Sequence, residues 1–187
     1  GQYLDIHAEV APPSHDAAVQ LERAMTVLRY KSAKYSVEHP VAIGAALAGA
    51  DQQFLDACAA FSLPLGEAFQ LRDDVLGVFG DPETTGKPAG DDIREGKRTA
   101  LIALCSAGCS PAQRQWLESV LGCERLTEED VARVRDLMRS SGAHERSEQL
   151  IADLVASSDA ALAVLPTGEV PRAGLRVLAD AAVRRTR

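Results

Sequence analysis

The chain has 187 residues, 46% of them hydrophobic and 25% charged, with 27 acids against 20 bases for a formal net charge of −7. Hydrophobic content of this order supports a globular domain with its own core and excludes a disordered tail, while the acidic balance argues against general nucleic-acid binding, which needs a basic face. Only 4% of residues are aromatic, beside abundant Ala, Leu and Val, which favours a helix bundle over a sandwich.

Residues 1–9 read as the end of a helix already under way, so the chain reads as part of a longer one, and Pro12-Pro13 break it. Ser14 is placed to cap the next helix, whose apolar positions Leu21, Met25, Leu28 and Tyr35 keep helical spacing until Pro40 ends it. Residues 41–50 are an Ala- and Gly-rich apolar segment, suited to close helix approach inside a bundle or at a dimer contact. Asp51 caps a helix that turns Phe54, Leu55, Cys58, Phe61 and Leu65 to the core and is disturbed at Pro64. A glycine-rich stretch at 80–96 follows, too polar for core and long enough to serve as a functional lid.

Beyond it the chain turns helical again. Leu101, Ile102, Leu104 and Cys105 make an apolar helix, and Ser110-Pro111-Ala112-Gln113 is a well-formed helix start. The stretch from Thr127 to Arg139 is amphipathic and Gly142 stops it. Ile151, Leu154, Val155, Leu162 and Leu165 stripe a longer helix up to Pro166, and Leu175, Leu178 and Ala182 stripe the last. Trp116 reads as packing. No repeat or linker divides residues 1–187. Cys58, Cys105, Cys109 and Cys123 form no CxxC pair and read as buried, reduced thiols, consistent with a cytoplasmic protein. His7, His15, His39 and His144 are scattered and give no metal or triad signature, and no apolar run is long enough to span a membrane.

The chemistry is concentrated in Phe69-Gln70-Leu71-Arg72-Asp73-Asp74-Val75-Leu76-Gly77-Val78-Phe79-Gly80-Asp81 and the polar run after it. On a helix, Gln70, Asp73, Asp74 and Gly77 share one face at i, i+3, i+4 and i+7. Two adjacent acids beside apolar neighbours are costly unless a hard divalent cation pairs with them. The following loop supplies Lys87, Arg94, Lys97 and Arg98 amid Gly86, Gly90 and Gly96, so the pattern suggests a metal plus a phosphate. Asp91 and Asp92 read as anchors for the loop's own lysines and arginines.

The segment FQLRDD followed by FGDPETTGKPAGDDIREGKRT resembles the second aspartate-rich motif of the trans-isoprenyl diphosphate synthases, the polyprenyl synthetase family. Upstream, Leu28-Arg29-Tyr30-Lys31-Ser32-Ala33 is similar to the family's lysine-threonine motif, with Ser32 where threonine is usual, and Gly1-Gln2-Tyr3-Leu4-Asp5 resembles its glycine-glutamine segment. The motifs occur in the family's order. Two departures stand out: Gly77 replaces the fifth acid of the usual DDxxD, with Asp81 a turn further on, and the family's first aspartate-rich motif is absent from these residues.

The resemblance implies a partial isoprenoid-synthase helix bundle, all-α, lacking its N-terminal helices, with residues 1–187 as the C-terminal portion of one domain. It implies a Mg2+-dependent prenyltransferase that ionises an allylic diphosphate for attack by isopentenyl diphosphate. Asp73 and Asp74 then hold Mg2+; Lys31, Lys87 and Lys97 grip the diphosphate; Gln2 and Gln70 make polar contacts beside it. A homodimer is implied, and the missing motif implies that this chain alone does not catalyse condensation. The intact lysine and acid set weighs against a non-catalytic subunit of a heteromeric synthase, and the loop resembles chain-elongating synthases more closely than terpene cyclases.

Overall fold

The computed structural model describes residues 1–10, 14, 16–80, 90–123 and 125–183; the expectations for Asp81 and Lys87 lie outside them. In chain order the described residues form α1 (Gln2–Val10), α2 (Ala17–Leu28), a π-helical stretch (Arg29–Glu38), α3 (His39–Leu47) and α4 (Gln52–Phe79). Beyond residue 89 come α5 (Asp91–Arg94), α6 (Ala100–Gly108), α7 (Pro111–Val120), α8 (Glu128–Ser140), α9 (Ala143–Val164) and α10 (Glu169–Val183). No strand occurs among the described residues, as the composition predicts.

The bundle is built around α4. Asp51 caps it by accepting from the Phe54 amide at 2.9 Å, and Cys58, Phe61, Leu65, Ala68, Leu71, Val75 and Val78 recur three or four residues apart as its buried stripe. That stripe packs against the π-helical stretch, α9 and α10. Pro64 does not break the helix. Its missing amide and ring disturb the backbone one turn back, at an expected cost of about 3 kcal/mol, but packing on several sides outweighs that. The Ser158 hydroxyl of α9 also donates to the Phe61 carbonyl at 2.9 Å, giving that turn a partner from outside the helix.

Two further expectations are corrected. Asp16, rather than Ser14, caps α2 by accepting from the Ala18 amide at 2.8 Å; the Ser14 hydroxyl accepts from Asp16 instead. Nor does Pro40 end the helix before it. The chain passes from α2 through the π-helical stretch into α3, and Pro40, lacking an N–H, falls in the first turn after the wider hydrogen-bond pattern closes with the His39 amide on the Lys34 carbonyl.

Two cores lie along the length of α4. The first joins α2, the π-helical stretch, α4, α9 and α10 around Phe61, Leu65, Leu71, Ile151 and Leu162. The second joins the end of α4 to α5 through α8 around Val78, Ile93, Leu101, Leu117, Val134 and Met138. Phe79 touches both and is flanked by the His144 ring, 4.5 Å between centroids, and by the Arg139 guanidinium. Gly66 permits the closest approach in the first core: a Cβ there would lie 2.8 Å from the Ala33 backbone.

Surface expectations fare unevenly. Residues 41–50 are not buried in this chain, since Ile43 and Leu47 of α3 are 59% and 84% exposed. On α10 the buried residues are Ala179 and Val183, and Leu175 and Ala182 of the expected stripe pack against the first core, while Leu178 is 68% exposed. The capping box at Ser110–Gln113 forms as read, and the structure adds a second at Thr127–Asp130. Cys105 and Cys109 are buried free thiols with sulfurs 3.9 Å apart, burial pushing Cys105 up to about 12. Cys123 is only half-buried. Among the described residues no helix is long and apolar enough to cross a membrane.

Candidate functional site

Three successive residues of the π-helical stretch face three different partners. Lys31 forms an ion pair with Asp5 of α1, the Ser32 hydroxyl donates to Gln70 Oε1 at 2.5 Å, and Ala33 is buried against Gly66 of α4. Gly1 lets α1 begin against the backbone of Tyr30 and Lys31, where a Cβ would collide with main-chain atoms. Arg29, beside Lys31 in sequence, reaches back to the buried Glu67 of α4 at 2.5 Å and ties the two segments together. Lys34 pairs within its own helical run with Glu38 at 2.8 Å.

On α4, Gln70 links this stretch to the acids. Its Nε2 donates to Asp74 Oδ1 at 2.9 Å while its Oε1 accepts from Ser32, so both ends of the amide are committed. A hydroxyl is all that this relay needs, and serine supplies it where the family usually has threonine. The two aspartates differ in surroundings: Asp73 is exposed and Asp74 is only 8% exposed. Burial pushes Asp74 up to about 7; the Gln70 hydrogen bond pulls it down, Asp92 and Asp73 push it up again and Lys97 draws it back. A buried acid with like charges beside it is poised to accept a cation.

The segment after α4 completes this end. Lys97 Nζ lies 2.5 Å from Asp92 Oδ1 and 2.8 Å from Glu95 Oε2. Burial would lower Lys97, but hydrogen bonds to both acids outweigh that and hold it well above its ordinary value. Lys97 lies just ahead of α6, preceding Thr99, which caps that helix by accepting from the Ile102 amide. Asp92 anchors the lysine, as the sequence suggested, and its other oxygen faces Gly77.

Ser32, Gln70 and Asp74 are thus linked by hydrogen bonds, Lys97 and Asp92 act on Asp74 electrostatically, and Asp73 lies on the exposed side of the same helix, while Lys31 pairs with Asp5 on α1. Gln2 is exposed in the first turn of α1, and among the described residues no hydrogen bond joins it to this group. Asp5, Ser32 and Asp92 were not assigned from the sequence. The first two stood inside quoted motifs; Asp92 was read as a loop anchor alone.

The donor set suits a hard cation, because every candidate ligand is a carboxylate or amide oxygen. Asp92 closes over Gly77 on the same helix, where a Cβ would meet its carboxylate. Among the described residues no three acidic, histidine or cysteine side chains close on one point. A separate cleft of about 910 Å³ lies between α1, α2 and α6, with Leu4, Val19, Arg23, Arg98 and Ile102 in its walls, away from the acids.

A helix bundle built on one long central helix that carries an acid pair toward its end belongs to the all-α isoprenoid-synthase class, and solved structures of that class superpose on almost the whole chain. The model of the polyprenyl synthetase family matches residues 1–138, and the chain belongs to that family. It is 42% identical to a geranylgeranyl pyrophosphate synthase from Corynebacterium glutamicum solved with isoprenyl diphosphate and magnesium, with a TM-score of 0.88 over 98% of this chain and 51% of that one. A polyprenyl synthase from Caulobacter crescentus, solved with calcium and isoprenyl diphosphate, is 35% identical with a TM-score of 0.84, covering 100% of this chain and 55% of that one. Farnesyl pyrophosphate synthase of Gallus gallus is 35% identical over 150 residues, 80% of this chain and 40% of that protein. The chain therefore spans well under two thirds of these relatives' length.

Proposed function

We propose that residues 1–187 are the second-motif portion of a single isoprenoid-synthase domain, and that the complete protein is a trans-prenyltransferase joining isopentenyl diphosphate to an allylic diphosphate. The observation that carries this reading is the Ser32–Gln70–Asp74 relay, which holds a buried carboxylate between two lysine-bearing segments. Diphosphate is a poor leaving group until its charge is offset. Bound at Asp73 and Asp74, Mg2+ would supply that neutralisation. Lys31, Lys87 and Lys97 grip the diphosphate oxygens, and Lys31 and Lys97 wait in ion pairs with Asp5 and Asp92 that hold their ammonium groups in place. Gln70 fixes the Asp74 rotamer, and Gln2 offers a further polar contact from α1. The surrounding helices exclude water from the allylic cation.

Exchange of Asp74 for Ala should abolish binding of Mn2+ with inorganic diphosphate to this chain, measured by calorimetry, while helical content stays unchanged. Retained binding would remove Asp74 from the metal site. Without the first acid motif, the chain by itself is expected to incorporate no labelled isopentenyl diphosphate; turnover would overturn the need for two acid motifs. A cytoplasmic homodimer is the assembly we propose. Exposed Tyr3 and Ile6 on α1 and Ile43 and Leu47 on α3 support it, and sedimentation velocity tests it.

A further inference from the structure

Two thiols meet at the end of α6 that lies away from Lys97. Cys105 is inside the helix and Cys109 is the first residue past its end, four positions on, so both fall on one face with their sulfurs 3.9 Å apart. Cys109 has left the helix. Its backbone is extended, φ −93° and ψ 147°, so its β-carbon is not held one helical turn beyond that of Cys105. A disulfide has a sulfur–sulfur bond of about 2.05 Å, so closure asks for about 2 Å of further approach, and the residue outside the helix is placed to give it. Other segments fix the turn around the pair. Gly108 sits against the Ser141 backbone, where a Cβ would collide, and Arg146 and Arg114 donate to the Leu104 and Ser106 carbonyls at 2.8 and 3.2 Å. The two thiols differ in access. Cys105 is 0% exposed and its sulfur accepts from the Ser141 hydroxyl at 3.6 Å, whereas Cys109 is 8% exposed where the chain turns into α7. Cys58 belongs to the first core, and Cys123 lies past the end of α7.

We propose that Cys105 and Cys109 are a dithiol modification site that hydrogen peroxide converts reversibly to a disulfide. The Cys109 thiolate attacks one peroxide oxygen; the oxygen–oxygen bond breaks, the departing hydroxide takes up the proton that the thiol released, and Cys109 becomes a sulfenic acid. The Cys105 sulfur then attacks the Cys109 sulfur, the sulfur–oxygen bond breaks, and the departing hydroxide leaves with the Cys105 proton as water. The thiol pair has given up two electrons and one peroxide has become two waters. Cys105 is the resolving partner, because a thiol that oxidant does not reach needs only the sulfur beside it. The pair protects the second core. A sulfenic acid with no neighbouring thiol goes on to sulfinic and sulfonic acids, which place polar oxygens in that core irreversibly, whereas a disulfide returns to two thiols on reduction. Nothing in this chemistry draws on Asp74 or the lysines.

The test exposes the folded 187-residue chain to excess hydrogen peroxide at neutral pH, blocks the remaining thiols, digests with trypsin and weighs the fragments. Cleavage after Arg98 and Arg114 leaves both cysteines on residues 99–114, apart from the fragments that carry Cys58 and Cys123. That fragment should become lighter by two hydrogens, and dithiothreitol added before blocking should restore both thiols. In Cys105→Ser, dimedone should capture Cys109 as the sulfenic acid; without dimedone Cys109 should gain further oxygens and the thermal melt should not recover on reduction, whereas the unaltered chain recovers its melt in full. The proposal is overturned if fragment 99–114 keeps both thiols under peroxide that oxidises free glutathione, if Cys109 is bridged to Cys123 instead, or if the bond forms only in urea. It is overturned equally by a folded Cys105→Ser chain that recovers as fully as its parent. Should Cys105→Ser fail to fold, the fragment mass of the unaltered chain decides alone.

Discussion

Asp74 carries the largest electrostatic cost among the site residues. Its ordinary value of 3.8 is raised to about 7, chiefly by burial, so between those values the folded chain keeps a proton that the unfolded chain gives up. Stability of the metal-free chain should therefore fall as pH rises through that window and stay reduced above it, by about 4 kcal/mol at most. Asp74→Asn, which preserves an oxygen for Gln70, should flatten this dependence and make the chain more stable than its parent at alkaline pH. Urea denaturation across the window checks it; an unchanged slope would mean that some other group carries the proton. A site that is costly when empty is what a cation-binding carboxylate requires.

At the scale of elements, glycines divide into those that make room and those that do not. Gly66 lies against Ala33 where α4 meets the π-helical stretch, so Gly66→Ala should destabilise the chain by about 1–3 kcal/mol. Gly44, in α3, where an added methyl would meet no other segment within 4 Å, should behave oppositely, and Gly44→Ala should stabilise by about 0.5–1 kcal/mol. Thermal melts of the two variants should move in opposite directions; a shared sign would discount the close approach. The π-helical stretch, which meets both α1 and α4, shows why part of the site was hidden in the sequence. Lys31 meets Asp5 across 26 residues and Ser32 meets Gln70 across 38, separations that no helical spacing rule connects. The acid pair and its shared face with Gln70 were legible because they fall within one turn of one helix.

Across the molecule, the second core backs the segment that carries Asp92 and Lys97, while the first core backs Lys31, Gln70 and Asp74. Leu117→Ala, fully buried in the second core, should cost about 2–5 kcal/mol. Hydrogen exchange should then quicken in α7 and α8 before it does in the first half of α4, because sub-regions with separate cores open separately. Uniform quickening along α4 would show that the two cores unfold as one.

The sequence by itself determined the helical class, the caps at Asp51, Ser110 and Thr127, and the alignment of Gln70 with the aspartate pair, because each depends on atoms within a turn of the residue concerned. Tertiary structure alone decided that α4 runs unbroken through Pro64, that Asp74 is buried while Asp73 meets solvent, and that Asp92 occupies the space above Gly77. Those outcomes turn on which distant segments press on α4, and packing energy between elements outweighs local preference wherever the two disagree.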